Sequence, residues 1–272
     1  AGIQVFAVAG IRVGRIALQD RIVGTVYEHA GTRQCLLAGI GPAANSTAQL
    51  DQCSGTFENM SSALEESGFT MADIVRTWFY NESILAWYSD FNRIRTGVYS
   101  RIAFQTGSTP ASTGVAGRNP QGSALTTAVW AVQPLDVFAR VEEVTSPLQC
   151  PAPAYGSSFS RATEILSGAG RRLFISGTAS IAPEGETLWK GDARRQIEQT
   201  MKVVEAILTS RGYALTDLSR VIAYFKQAAD APLFAEWCAA RGVSLPYLAV
   251  ECDICRHDLL FELEADAFKS RD

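Results

Sequence analysis

An internal repeat constrains the fold of this chain more than any other feature of its sequence. Residues 67–80 read SGFTMADIVRTWFY, and residues 211–224 read RGYALTDLSRVIAY. At a constant offset of 144 residues, identical residue types recur: Gly68 with Gly212, Asp73 with Asp217, Arg76 with Arg220, and Tyr80 with Tyr224. Self-similarity at a fixed offset is the signature of a duplicated structural unit. We therefore expect two copies of one domain in the chain of 272 residues.

Each copy contains an amphipathic helical pattern followed by a strand. Apolar residues recur at helical spacing before both glycines of the repeat: Phe57, Met60, Ala63 and Leu64 in the first half, and Ile197, Met201, Val204, Ile207 and Leu208 in the second. Glycine after the last helical turn can adopt the left-handed conformation that ends a helix. Short apolar runs before and after each helix predict strands. The pattern indicates an α+β fold of two tandem domains, each a mixed sheet with helices packed on one face.

Domain boundaries follow from the repeat and from the prolines between its copies. We assign residues 1–134 to an N-terminal domain, residues 135–169 to a connector and residues 170–272 to a C-terminal domain. The connector contains Pro147, Pro151 and Pro153, which favour extended chain. The first 30 residues form apolar, strand-like runs that have no place in the repeat.

The composition argues against several classes of function. With 24 basic and 28 acidic residues the formal charge is −4, and no run of lysine or arginine points to a nucleic-acid partner. The longest apolar runs are far shorter than the roughly 18 residues of a membrane span. Six dispersed cysteines are typical of a reducing compartment, and the CxxC of Cys252 and Cys255 lacks the second pair of a zinc site. We expect a cytoplasmic protein that binds neither membrane nor metal.

Several motifs carry a resemblance to known families. The order of motifs in the second half resembles the Rid/YjgF family. The segment SGTASIAPEG is followed by a predicted helix, then by DLSRVIAYF, a second predicted helix and LPYLAVECDICRHDLLFELEADAF. Two fused copies joined by a segment ending YGSSFSRA resemble, more narrowly, the chorismatases, which cleave the enolpyruvyl ether of chorismate. The resemblance implies a Rid-like fold, a homo-oligomer with a trimer favoured, a small carboxylate substrate, and a reaction without metal or cofactor.

The resemblance singles out Glu262 as the general acid. Cleavage of a vinyl ether requires a proton on its methylene carbon, and a carboxylic acid with a raised pKa suits that step. By periodicity alone, Glu262, Glu264 and Asp266 alternate with apolar residues, which is typical of a strand with one solvated face. The resemblance reverses that interpretation for Glu262 only, so Glu264 and Asp266 are expected at the surface.

The resemblance also indicates the remaining site residues. Cys255 corresponds to the chorismatase branch that forms 3-hydroxybenzoate, in which a thiol assists the ring chemistry; the alternative is an ordinary buried cysteine. Arg161 and Tyr155 are expected to hold a substrate carboxylate, because arginine offers a bidentate fork, although a surface arginine and a packed tyrosine would also fit the sequence. On a regular strand, Arg256 would point to the face opposite Cys255, so it is not among the predicted site residues. The amides and hydroxyls of one segment complete the predicted pocket: Gly177, Thr178, Ala179 and Ser180.

The predicted function is chorismatase-like cleavage of chorismate, or a close analogue, to pyruvate and a hydroxybenzoate by carbon protonation. The N-terminal domain is expected to be structural, because its final strand at 124–132 has no acid where the second half has Glu262. One alternative is a Rid-type enamine or imine deaminase. Neither Pro110-Ala111-Ser112-Thr113 nor Pro246-Tyr247-Leu248 holds the arginine that such enzymes carry. The second alternative is a non-catalytic protein that binds a small metabolite.

Overall fold

Six strands and two helices form the first half of the chain. The computed structural model describes residues 4–43 and 47–271. In chain order the elements are β1 (Val13–Leu18), β2 (Arg21–His29), β3 (Thr32–Ile40), α1 (Gln49–Glu66), β4 (Ile74–Asn81), α2 (Ile84–Tyr99), β5 (Ala111–Ala116) and β6 (Leu125–Pro134). The strands lie side by side in the order β1-β2-β3-β6-β4-β5. β4 and β5 are parallel, and the other neighbours are antiparallel.

The second half repeats this topology. Its elements are β7 (Arg140–Val144), β8 (Ala162–Ser167), β9 (Gly170–Ala179), α3 (Ala193–Ser210), β10 (Leu218–Phe225), α4 (Ala231–Ala240), β11 (Tyr247–Glu251) and β12 (Phe261–Ser270). The sheet order, read from β7, is β7-β8-β9-β12-β10-β11. The predicted fold class, two tandem mixed sheets packed with helices, is confirmed. Within the described residues, no helix is both long enough and apolar enough to span a bilayer.

The repeated glycine and aspartate have local structural reasons. α1 is followed by Gly68 and α3 by Gly212, both at a φ of +73°. In each case the next residue, Phe69 or Tyr213, donates its N–H back to a carbonyl of the last helical turn, which satisfies a group that the helix end leaves free. The repeated aspartates then accept a backbone N–H within the short turn before β4 or β10. The repeat therefore encodes a helix stop and a strand start.

The segment expected as a connector contains part of the second sheet. β7 and β8 both lie within residues 135–169, so the second domain begins near Arg140 rather than at residue 170. β1 and β2 are the counterparts of β7 and β8, which gives the apolar runs of the first 30 residues their place in the repeat. The prolines at 147–153 occupy a long excursion between β7 and β8.

The two sheets pack against each other through the faces that do not carry helices. Seven buried apolar side chains from both halves form this contact: Val75, Ala111, Trp130, Val132, Val141, Ile165 and Phe174. Polar groups cross it as well: Ser112 donates its N–H to Ser176 Oγ at 2.9 Å, and Thr163 Oγ1 donates to the carbonyl of Val75 at 2.8 Å. The junction therefore brings strand faces of both halves into one shared interior.

Candidate active site

Glu262 lies at this junction, on the face of β12 that is turned towards the first half. It pairs with Ala179 of β9 and Tyr224 of β10, and it is 4% exposed. Gly177 makes room for its carboxyl, because a Cβ built at Gly177 would overlap with Glu262 Oε1. Burial, together with the nearby Glu264 carboxylate, raises the pKa of Glu262 to about 8 against the opposing effect of Arg76. The side chain is therefore a carboxylic acid, not a carboxylate, at neutral pH.

Glu264 and Asp266 are not surface charges, so that expectation is wrong. Glu264 is fully buried: its carboxylate accepts hydrogen bonds from Arg76 Nη2 at 2.9 Å, from Trp78 Nε1 at 3.0 Å and from Arg220 Nη2. Burial would raise the pKa of Glu264, but Arg220 and Arg76 hold it below its ordinary value. The polar face of β12 meets the other domain rather than water, and its charges are balanced by the two arginines of the repeat.

Cys255 lies in the loop between β11 and β12. It packs on a small apolar cluster that includes Ala179 and Ile181, and the Tyr88 hydroxyl of α2 lies beside its thiol. Burial and the proximity of Glu262 raise the pKa of Cys255 to about 12, so the sulfur is a neutral thiol near neutral pH. The loop brings Cys255 and Glu262 to one cavity, as the sequence predicts.

Arg161 and Tyr155 lie on the same cavity. Arg161 is 4% exposed, and its Nε and Nη2 donate to the carbonyl of Cys150 at 3.0 and 2.8 Å. Its Cζ lies 5.4 Å from the centroid of the Tyr155 ring, and Arg256 Cζ lies 5.4 Å from the same centroid. Arg256 therefore faces the cavity, contrary to the strand-based expectation, because residues 252–260 form a loop and not a regular strand.

The first half supplies side chains that the sequence analysis missed. Tyr88 and Arg95 of α2, with Ser112 and Gly114 of β5, line the cavity together with the residues of the second half. Arg95 is 1% exposed, and its Nη2 donates to Asn92 Oδ1 at 2.6 Å. The first half therefore contributes part of the lining of this cavity. The sequence does contain one sign of this contribution: Arg95 lies at helical spacing from Tyr88 and Asn92, so the three side chains share one face of α2.

Two predicted site residues do not reach the cavity with their side chains. Gly177 and Ala179 line it, whereas Thr178 and Ser180 alternate with them and point to the other side. Thr178 Oγ1 donates to the carbonyl of Ser176 at 2.8 Å, and Ser180 Oγ to that of Leu188 at 3.2 Å. Their hydroxyls stabilise the chain around β9.

The charges on the lining define what the cavity can hold. Within residues 4–43 and 47–271, Arg95, Arg161 and Arg256 have no ion pair with a protein carboxylate. Their described hydrogen bonds go to backbone carbonyls and one amide. Glu262 is the acid on the described lining, and it is neutral. A cavity with three uncompensated guanidinium groups suits an anion with more than one carboxylate.

Fold and cavity together define a class: a duplicated α+β protein with one acid-and-arginine site at the junction of its halves. The family model described as endoribonuclease L-PSP matches residues 149–269. A RutC family protein of Pyrococcus horikoshii is 37% identical over 103 residues, which cover 37% of this chain and 82% of that protein. The chain belongs to the RutC family, and the Rid/YjgF resemblance is confirmed.

Longer relatives match both halves. A protein of Streptomyces hygroscopicus named 3-hydroxybenzoate synthase is 26% identical over 271 residues, covering 89% of this chain and 75% of that protein. A chorismatase of the same organism is 26% identical over 252 residues, covering 84% and 70%. A crystal structure of a chorismatase superposes with a TM-score of 0.70 at 22% identity, covering 90% of this chain and 77% of that one, which shows a shared fold. The resemblance to chorismatases therefore extends over the tandem arrangement.

Proposed function

We propose that this chain is an enzyme that cleaves the enolpyruvyl ether of chorismate, or of a close analogue, to pyruvate and a hydroxybenzoate. The observation that carries the proposal is one cavity with a buried neutral acid, Glu262, and three guanidinium groups without a carboxylate partner in the described part of the chain. Relatives named chorismatase and 3-hydroxybenzoate synthase, which align over most of the chain, support the choice of substrate.

Glu262 is the proposed general acid. A pKa of about 8 keeps its carboxyl protonated at neutral pH, yet acidic enough to give up the proton. Transfer of that proton to the methylene carbon of the vinyl ether leaves an oxocarbenium ion at the ether carbon. The new Glu262 carboxylate then stabilises the cation. Glu264, held ionised by Arg76 and Arg220, favours the return of a proton to Glu262 after each turnover.

The three arginines are the proposed partners of the two substrate carboxylates. Arg161 and Arg256 approach the Tyr155 ring, while Arg95 comes from the first half. Arg95 and Arg161 are nearly fully buried, and a buried cation without an anion carries a desolvation cost of several kcal/mol. A dianionic substrate offsets that cost when it binds. This gives the cavity a preference for dicarboxylates over monocarboxylates.

Cys255 is the proposed second catalytic group, acting on the ring. Water adds to the oxocarbenium carbon, and the resulting hemiketal collapses to pyruvate and a ring diol. The neutral thiol donates a proton to the ring hydroxyl that leaves as water, and the thiolate then removes a ring proton, which restores the thiol and forms the aromatic product. The water consumed in the first stage is released in the second, and no oxidant is required. The Tyr88 hydroxyl beside the sulfur orients this exchange.

The test is to incubate the chain with chorismate and to measure pyruvate and aromatic products by chromatography. We expect both products, a loss of at least about a hundredfold in rate for Glu262→Gln, and little change for Glu58→Gln, the same substitution at an exposed position of α1. Cys255→Ala should still release pyruvate but give an altered ring product. A folded protein that leaves chorismate intact contradicts the proposal, and hydrolysis of 2-aminoacrylate instead would favour the deaminase.

A further inference from the structure

A second cavity lies between the two sheets and shares no lining residue with the candidate active site. Its volume is about 790 Å³, within the range of small-molecule sites. Residues Gln4 to Phe6 form one wall: Gln4 Nε2 donates to the carbonyl of Val221 at 2.8 Å, and the Phe6 ring lies 4.8 Å from Trp130 in an edge-on arrangement. The N-terminal segment therefore closes one side of the cavity.

The walls of this cavity are largely aromatic. Trp78 and Tyr80 of β4, Trp130 of β6 and Phe6 of the N-terminal segment all line it, alongside aliphatic residues of β3. Planar rings pack well between aromatic side chains in offset or edge-on geometry. The walls therefore suit a ligand that contains a flat ring.

Arg172 of β9 provides a cation at this cavity. Its Cζ lies 5.3 Å from the ring centroids of Phe6 and Trp130, and 5.5 Å from that of Phe268. Across the described residues, its guanidinium has three aromatic rings as contacts and no hydrogen bond or salt bridge to a carboxylate, although the nearby Asp266 feels its charge. An arginine held in this way keeps its planar set of N–H donors available for a ligand carboxylate.

The floor of the cavity is an ion pair between β10 and β12. Asp266 is 4% exposed, and its Oδ1 lies 3.5 Å from Arg220 Nη1, so the two opposite charges are paired. Both atoms are buried, and neither has a further hydrogen-bond partner in the described part of the chain. Because Arg220 is paired in this way, Arg172 is the cation at this cavity that suits a ligand carboxylate.

We propose that this cavity binds a small aromatic carboxylate. The carboxylate pairs with Arg172, and the ring packs among the aromatic walls. On the paired strands Arg172 stands opposite Phe268, two residues beyond Asp266. That displacement, roughly 7 Å along the sheet, separates the ligand carboxylate from the carboxylate of Asp266. The proposal does not rest on the proposed reaction, and the one lining residue with a part in that reaction is Arg220, which pairs with Glu264.

Calorimetric titration with benzoate as the probe tests the proposal. Arg172→Gln should weaken binding about ten- to hundredfold, the usual effect of a lost charge-assisted hydrogen bond. The matched control is Arg171→Gln on the same strand, whose side chain faces the other way and pairs with Glu164 at 2.7 Å; it should change the Kd less than about twofold. Benzyl alcohol, which keeps the ring but lacks the carboxylate, should bind more weakly than benzoate.

Two further variants keep the result interpretable. Phe6→Ala removes one aromatic wall at a position that is already exposed, so it should weaken binding without unfolding the chain. Arg161→Gln alters the other cavity and should leave this binding event in place. Binding that survives Arg172→Gln and Phe6→Ala but disappears in Arg161→Gln would assign the probe to the other cavity and overturn the proposal. Absence of any binding at millimolar probe would overturn it as well.

Discussion

Replacement of Glu262 by glutamine should stabilise the protein increasingly as the pH rises. Burial raises the pKa of Glu262 from its ordinary 4.5 to about 8 in the folded protein. A carboxyl with a raised pKa favours the folded state only while it is protonated, so its contribution is complete below the unfolded pKa and is lost between about pH 4.5 and pH 8. Glutamine has the same shape and never ionises, so the variant is spared this loss.

The magnitude follows from the same shift. Each pKa unit corresponds to about 1.4 kcal/mol, so the full shift amounts to about 5 kcal/mol at and above pH 8. Between about pH 5 and pH 7, the stability of Glu262→Gln relative to the parent chain should rise by about 2.5 kcal/mol. Titrating groups common to both proteins cancel in this difference.

Urea unfolding of both proteins across this pH range, followed by circular dichroism, measures the difference directly. Glu58→Gln at an exposed position of α1 is the control, and its effect should stay within about 0.5 kcal/mol at every pH. A difference for Glu262→Gln that stays flat with pH, or that falls, would refute the reasoning, because it would mean that the carboxyl is ionised at little cost in the folded protein.

Three other outcomes follow from the site. Gly177→Ala should lower kcat at least about tenfold in a pyruvate-release assay, because the added Cβ would displace the Glu262 carboxyl. In the control Gly97→Ala, the added Cβ has no atom within 4 Å beyond the neighbouring backbone of its own helix, so kcat should not change. Arg95→Gln should lower kcat/KM for chorismate about ten- to hundredfold without lowering Tm, because this buried cation has no protein carboxylate partner in the described chain. The rate of pyruvate release should also fall about tenfold per pH unit above pH 8, because Glu262 loses its proton there. A rate that stays constant up to about pH 10 in a stopped assay would contradict the role of Glu262 as the acid.

Local features of the fold could be predicted from the sequence because their causes are local. Gly68 and Gly212 end helices by their own backbone freedom, and the aspartates that follow bind backbone groups three residues away. The strand alternation of β12 likewise identifies which residues share a face. It does not reveal what covers that face, so alternation alone predicts Glu264 in water, whereas its carboxylate lies against Arg76 of the other sheet and Arg220 of its own.

The candidate site shows the same limit. Residues near one another in the chain, such as Cys255 and Glu262, could be assigned together by resemblance. Tyr88 and Arg95 enter the cavity only because two domains pack at a particular angle, and no spacing in the chain encodes that angle. Their one local sign is an arginine, Arg95, on the face of α2 that also carries the apolar residues Trp87 and Phe91 and is buried.

The ion pair between Arg76 and Glu264 has a consequence for how the chain unfolds. Arg220 faces Asp266 across its own sheet, whereas its repeat counterpart Arg76 faces Trp130 and takes its anion from the other half. Separation of the halves would break this ion pair and expose Arg76 and Glu264 to water, together with the apolar side chains of the junction. We therefore expect the two domains to unfold in one cooperative transition, and either half expressed alone to present at its surface a charged side chain whose partner belongs to the other half.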